Sequence, residues 1–275
     1  MEYIVKGTFI VDRLPFTVRY FYFLLFTFYL KDNFSQQAAS YAQFRPGYPK
    51  ALFDWLCNQV TNRRSALDSG TGNGQVAVEL ADYFEEVWAT DISEKQLSHA
   101  VKKENIHYKK EAGEKTGFSD NQFDLLTVAQ AIHWYQFDLF YPEAKRILKP
   151  GALIAVIGYG LLKIGEKEDP IIQHYYKEIV GPYWDPERKL IDEGYQTIPF
   201  PFPETQAPNF SSDYMWTLDQ FLGYARTWSA YMHYLKANEK DPLPELEKEL
   251  LSCWKPGETK KISFPILFRV GRNDK

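Results

Sequence analysis

Along residues 65–157, apolar and polar positions alternate between two periods. Short apolar runs at 65–68, 87–90, 106–109, 124–129 and 152–157 have strand length. Between the first two, Val76, Ala77, Val78, Leu80, Ala81 and Phe84 recur at helical spacing. A second helix is predicted over 93–103, with Ser93 and Gln96 placed as a capping box, and a third over 140–148. The run at 124–129 (DLLTVA) is apolar almost throughout, as a strand covered on both faces should be. Upstream, Leu52, Phe53, Leu56 and Val60 mark a helix over 50–60, and Phe34, Ala38, Tyr41 and Phe44 a shorter one before it. Past Gly158 the rhythm stops. Helices are predicted over 166–180, 217–235 (with Thr217 as cap) and 242–254, then a last strand over 262–270. Pro265 inside that strand marks an edge or a bulge. The pattern as a whole is α/β: a Rossmann-like, mostly parallel sheet with helices on both faces.

The first strand runs into Asp68, and three glycines follow at alternate positions, Gly70, Gly72 and Gly74. A turn that leaves a strand and enters a helix at once needs φ > 0, which Gly adopts cheaply, and the missing Cβ lets a ligand lie on the backbone. The second strand ends in Asp91, 21 residues beyond Gly70, close to the spacing of a ribose-binding acid. A pyrophosphate at the helix N-terminus would be repelled by Asp68. An acid there suits a cationic ligand, and S-adenosylmethionine carries an ammonium and a sulfonium but no phosphate. The competing reading is a glycine turn in an unrelated α/β domain.

Composition narrows the class. The chain has 275 residues, 45% hydrophobic and 25% charged, enough for a substantial core. Its net charge of −4 argues against a general nucleic-acid binder. Cys57 and Cys253 are the only cysteines, with no ligand-like neighbourhood, so no metal site is expected and a cytoplasmic location is. Aromatic content is 17%, much of it outside the glycine-turn unit, which fits either a ring-lined cap or a large aromatic core. The first 30 residues stand apart. Their apolar run at 20–30 is too short to span a bilayer. They read as an extension, either disordered, in contact with a membrane through 14–30, or packed as a strand. The domain proper is placed at 31–275, with a core at about 50–158, a cap insertion at about 160–210 and C-terminal strands and helices at 211–272.

Taken together and in order, LDSGTGNG, ATDIS, DLLTVAQAIHW and ILKPGA resemble the class I S-adenosylmethionine-dependent methyltransferases. YAQFRPGYP, the His133–Trp134 pair, TWSAY and the late FPxxFRVGR make the chain similar to the small-molecule branch typified by trans-aconitate methyltransferase. The resemblance implies a seven-stranded sheet in the order 3-2-1-4-5-7-6 with strand seven antiparallel. It implies S-adenosylmethionine as cofactor, with Asp68, Gly70 and Gly72 against its methionine part, Asp91 on the ribose, Ile92 against the adenine, Gly113 and Glu114 bordering it, and Gln130 beside the sulfonium.

Methyl transfer from a sulfonium is an in-line displacement that needs alignment above all. A carboxylate acceptor needs no base, only cations and donors to hold it; Arg45, Arg226 and the rings of the insertion are candidates. A hydroxyl or amine acceptor needs a base, and His133, just past a strand's carboxyl end, is the one best placed. Tyr41 and Arg45 are expected to close over the cofactor or to hold a carboxylate. The expected function is methyl transfer to a small molecule, with a carboxylate among the candidate acceptors. The alternatives are a protein or nucleic-acid methyltransferase and a cofactor-binding protein without catalysis.

Overall fold

The computed structural model describes residues 45–275. Tyr41, the short helix expected on Phe34, Ala38, Tyr41 and Phe44, and the extension at 1–30 lie outside the described residues.

The sheet is built from β1 (Ser65–Ser69), β2 (Glu86–Asp91), β3 (Ile106–Lys110), β4 (Phe123–Ala129), β5 (Leu148–Tyr159), β6 (Glu204–Thr205), β7 (Ser211–Thr217) and β8 (Thr259–Arg272). Its order is β3-β2-β1-β4-β5-β8-β6, with β7 paired to β8 off this path. The first five strands are parallel, and β8 runs antiparallel between β5 and β6. This is the expected order with one strand added. The addition arises because β8 is 14 residues long. Its second half, from Ile266, pairs β5, while Thr259 to Pro265 pairs β7. Pro265 sits where one ladder gives way to the other, a place where its missing N–H costs little.

Alternation along the central strands covers both faces. Leu126, Val128, Ile154 and Val156 face one core with Phe140, Tyr141, Ala144 and Ile147 of α4 (Phe137–Ile147). Leu125, Leu153, Ala155 and Ile157 face another, with Leu52, Phe53 and Leu56 of α1 (Lys50–Asn58) and Val76, Ala77 and Leu80 of α2 (Gln75–Leu80). Between β2 and β3, α3 (Glu94–Ser98) starts on Ser93, whose Oγ accepts from the Gln96 N–H at 3.3 Å. It is shorter than the apolar pattern implies.

A third core holds most of the remaining rings. It joins α5 (Glu168–His174) and the wider turn Tyr175–Ile179 to α7 (Leu218–Ala225), α8 (Ser229–Ala237) and α9 (Leu243–Leu250). The helix expected over 217–235 is thus two helices. Thr217 does cap the first, in a reciprocal box with Gln220. The break falls at Trp228, whose ring is buried among Tyr175, Tyr176, Trp184 and Tyr224. Burying an indole gains more than one further helical turn. The rest of the insertion carries a short helix, α6 (Arg188–Asp192). Its IPFPFP run does not join the ring cluster: Phe200 and Phe202 pack on Tyr141, and a Cβ at Gly271 would meet the Phe200 ring and the Phe202 Cβ. No described helix is long and apolar enough to cross a membrane.

Candidate active site

The carboxyl ends of β1, β2, β4 and β5 bring the candidate residues into two groups. The first is the glycine turn. Gly70, Gly72 and Gly74 have φ of 69°, 56° and 86°. A Cβ on Gly70 would lie 2.5 Å from that of Ala131 and 2.9 Å from the Tyr135 hydroxyl, and one on Gly74 would strike the Tyr108 ring. At Gly72 a Cβ would meet nothing within 4 Å, so here the turn is open. The contrast yields a prediction. Gly70→Ala should lose about 2 kcal/mol of stability through clash and strain, whereas Gly72→Ala pays only for φ and its methyl blocks the approach to the turn. Thermal melts and titration with S-adenosylhomocysteine should therefore separate the two, Gly70→Ala lowering Tm more and Gly72→Ala lowering affinity more.

Two acids flank this turn. Asp68 is 1% exposed and accepts from Thr71 Oγ1 at 2.5 Å and Thr127 Oγ1 at 2.8 Å. Burial pushes its carboxyl up to about 6; these hydroxyls pull the other way, and the neighbouring Asp91 adds to the rise. Asp91 accepts from the Gly72 N–H at 2.9 Å and the Ser93 N–H at 2.8 Å. Burial raises its pKa as well, against those backbone bonds. Ile92 follows it with an exposed side chain. Gly113 is buried, and a Cβ there would lie 2.9 Å from both Ser69 Oγ and the Tyr135 ring. Glu114 accepts from the Gln136 N–H at 3.2 Å. Tyr135, whose hydroxyl is 2.9 Å from Ser69 Oγ, ties the ends of β1 and β4 together. It was missed in the sequence because a tyrosine in a loop has no pattern of its own.

The second group forms beyond β4 and β5. Gln130 has φ 51°, and its Nε2 donates to the Tyr159 carbonyl at 3.4 Å. Arg45 Nη1 donates to the Tyr159 hydroxyl at 2.9 Å. The loop carrying Arg45 is held by β7: the Tyr214 hydroxyl accepts from the Gly47 N–H at 2.8 Å, and Ser212 Oγ donates to the Gly47 carbonyl at 2.7 Å. His133 is buried, with Nδ1 3.1 Å from the Tyr195 hydroxyl. Burial, then the charges of Arg188 and Arg45, push its pKa down to about 3, so it is a neutral imidazole and a weak base.

Arg188 is the residue that sequence reasoning did not find. It starts α6, and its side chain is only 17% exposed. Its guanidinium carbon lies 4.6 Å from the Trp184 ring centre and 5.3 Å from that of Tyr176. Nε donates to the Tyr176 hydroxyl at 2.6 Å and to Asp192 at 3.3 Å. Neither Nη nitrogen has a hydrogen-bond partner among the described residues. Burial alone would lower its pKa, but Tyr176, Tyr224 and Asp192 hold it above its ordinary value. Arg226, expected with Arg45 as a candidate to hold a carboxylate, ends α7 on the exposed surface.

Comparison with known proteins gives the class. The methyltransferase domain family matches residues 67–156, from β1 into β5. A Dictyostelium discoideum protein described as a methyltransferase is 36% identical over 251 residues, 88% of this chain and 95% of that one. A Saccharomyces cerevisiae protein named as an S-adenosylmethionine-dependent methyltransferase is 25% identical over 90% of this chain and 98% of its own. The solved structure of a protein of Anaeromyxobacter dehalogenans, described as a type II methyltransferase, superposes with a TM-score of 0.79 at 38% identity, covering 84% of this chain and 98% of that one. The chain belongs to the class I S-adenosylmethionine-dependent methyltransferases. It is an enzyme that takes its methyl group from S-adenosylmethionine.

Proposed function

We propose that the enzyme methylates a small carboxylic acid, with the glycine turn and its two acids holding the cofactor and the second group holding the acceptor. The cofactor supplies an activated methyl on a sulfonium. Acidic neighbours and an open backbone at Gly72 suit that cation. Asp68 faces the methionine ammonium through its bonded Thr71 and Thr127, Asp91 takes the ribose hydroxyls, and the exposed Ile92 is covered by the adenine. Gly113 and Glu114 border that ring, and Gln130 lies at the boundary of the two groups.

The observation that carries the acceptor class is Arg188. It is a largely buried guanidinium, held between Tyr176 and Trp184, with both Nη groups unused among the described residues. Its charge and that of Arg45 both reach His133. A planar guanidinium with two donors in a fork matches a carboxylate. A carboxylate is already a nucleophile at neutral pH, so a neutral His133 is no obstacle. It acts as a packed wall of the acceptor pocket, and the rings of Trp184, Trp228 and Tyr224 exclude water. The chain's work is then orientation, which contributes on the order of 7–11 kcal/mol in favourable cases.

The test is release of S-adenosylhomocysteine across succinate, glutarate, benzoate and cinnamate, with matched amides, phenols and amines as controls. Turnover confined to acids supports the reading. Turnover of phenols or amines alone, or of none of the panel, sinks it.

Asp68 also predicts a pH effect. An acid at about 6 is partly protonated near neutrality, and a bound cation favours its ionised form. S-adenosylmethionine binding should therefore release a proton and tighten between about pH 5 and pH 7, by at most about tenfold per pH unit. For the free protein the sign is opposite. A folded pKa above the unfolded one means stability is lost as pH climbs through about 6. Calorimetry in buffers of different ionisation enthalpy checks the first statement; an affinity flat with pH would refute it.

A further inference from the structure

Two side-chain-bearing residues near His133 hold left-handed backbones, Gln130 at φ 51° and Tyr195 at φ 60°. For a residue as bulky as tyrosine this conformation is rare. It costs on the order of 1–3 kcal/mol and persists only where the surroundings impose it. Helix termination accounts for part of the turn. Gly194, at φ 64°, follows α6, and the Tyr195 N–H bonds back to the Leu190 carbonyl at 2.8 Å. A helix end needs one left-handed residue, and Gly194 supplies it. The second, at Tyr195, calls for another reason.

Three features force it. Arg269 of β8 donates from Nη1 to the Tyr195 carbonyl at 2.9 Å and to that of Ile198 at 3.0 Å. Glu204 of β6 in turn holds the Arg269 guanidinium. Gly158 of β5 leaves space for the ring: a Cβ there would come within 2.7 Å of Tyr195 Cε2. The ring is fully buried, and what it delivers is a hydroxyl 3.1 Å from His133 Nδ1 and 3.5 Å from Gln130 Oε1.

We propose that Tyr195 is a positioning residue of the methyl-transfer site, which holds His133 as the Nδ1–H tautomer by linking it to Gln130. The assignment follows from counting donors. Gln130 Nε2 is turned to the Tyr159 carbonyl, so Oε1 faces Tyr195. That oxygen only accepts, so the single hydroxyl proton goes to it. The tyrosine oxygen then accepts the Nδ1 proton of His133. The other ring nitrogen, Nε2, keeps its lone pair, and among the described residues it has no hydrogen-bond partner. His133 is thus fixed as an acceptor at Nε2 over the whole range in which it is neutral, and its ring plane is set by the hydroxyl on one side and the Trp134 ring, 5.0 Å away, on the other. This inference rests on the reading of His133 and Gln130 as site residues. It also accounts for the FRVGR segment, which keeps Tyr195 in place through Arg269.

The tautomer is read from imidazole ¹⁵N shifts of the full chain saturated with S-adenosylhomocysteine, with His133 assigned against His133→Gln. The expected spectrum shows a protonated-type Nδ1 and a lone-pair-type Nε2. Tyr195→Phe keeps the ring and removes the hydroxyl; it should move His133 towards the Nε2–H form. Gln130→Met removes the acceptor of the tyrosine proton, which then turns to His133 Nδ1 and gives the same switch. With the fastest acid of the panel above, Tyr195→Phe should lower kcat about tenfold, with KM for S-adenosylmethionine within about twofold. A wild-type His133 protonated at Nε2, nitrogen shifts unchanged in both variants, or a tautomer switch with full kcat would each overturn the proposal. The shifts decide the tautomer even if no acid is turned over, so a failed acceptor reading and a failed role for Tyr195 give different results.

Discussion

Replacing Asp91 by alanine is expected to weaken S-adenosylmethionine binding by about 10²- to 10⁴-fold. Each carboxylate oxygen already accepts one backbone N–H, from Gly72 and from Ser93. In the proposed site the carboxylate's remaining lone pairs take the two ribose hydroxyls. Hydrogen bonds to a charged group contribute about 1.5–3 kcal/mol each, and the variant loses two to the ligand. It also frees the Gly72 N–H, so the turn itself loosens. Asp91→Asn separates these effects, since its amide keeps one accepting oxygen; about a tenfold loss is expected. Isothermal titration checks both, and an unchanged affinity in Asp91→Ala would show that the ribose lies elsewhere.

The second large effect belongs to Arg188. With an acid acceptor, Arg188→Gln should lower kcat/KM about 10²-fold, mainly through KM, because two charge-assisted bonds to the carboxylate are lost. Affinity for S-adenosylmethionine should stay put. Arg188→Lys should recover only part, since an ammonium lacks the planar fork and stacks less well between Trp184 and Tyr176. A second readout needs no acceptor. The Arg188 charge is one cause of the low His133 pKa of about 3, so Arg188→Gln should raise it. The sign is that of a cation removed from beside a titrating imidazole. An unchanged KM together with an unchanged His133 titration would remove Arg188 from the site.

The proposed cofactor half of the site could be read from the sequence because it is local. Asp68, Gly70, Gly72 and Asp91 belong to one strand–turn–helix–strand unit, and the chemistry of each depends on neighbours within about 25 residues. The structure puts them together as that unit requires, down to the Gly72 N–H bonded to Asp91. The sheet order was implied by the family resemblance that these motifs carry, and the structure has that order with β7 added. The proposed acceptor half could not be read in this way. Arg188 sits in a Pro- and Tyr-rich stretch with no periodicity, and nothing in its neighbours sets it apart from Arg226, which lies on the surface. Tyr195 was equally silent, since a positive φ on a tyrosine has no composition signal.

What the order of residues determined was the class: a run of alternating strands and helices, a glycine turn and two acids define the methyltransferase and its methyl donor. Tertiary structure decided which cations and rings line the proposed acceptor site. Arg45 is brought to Tyr159 across 114 positions, and Tyr195 to Gln130 across 65. Contacts at that separation follow from packing the ring cluster of the insertion and the C-terminal helices beside the sheet. That burial is an area effect shared by many side chains, so no single motif records where any one of them will end up.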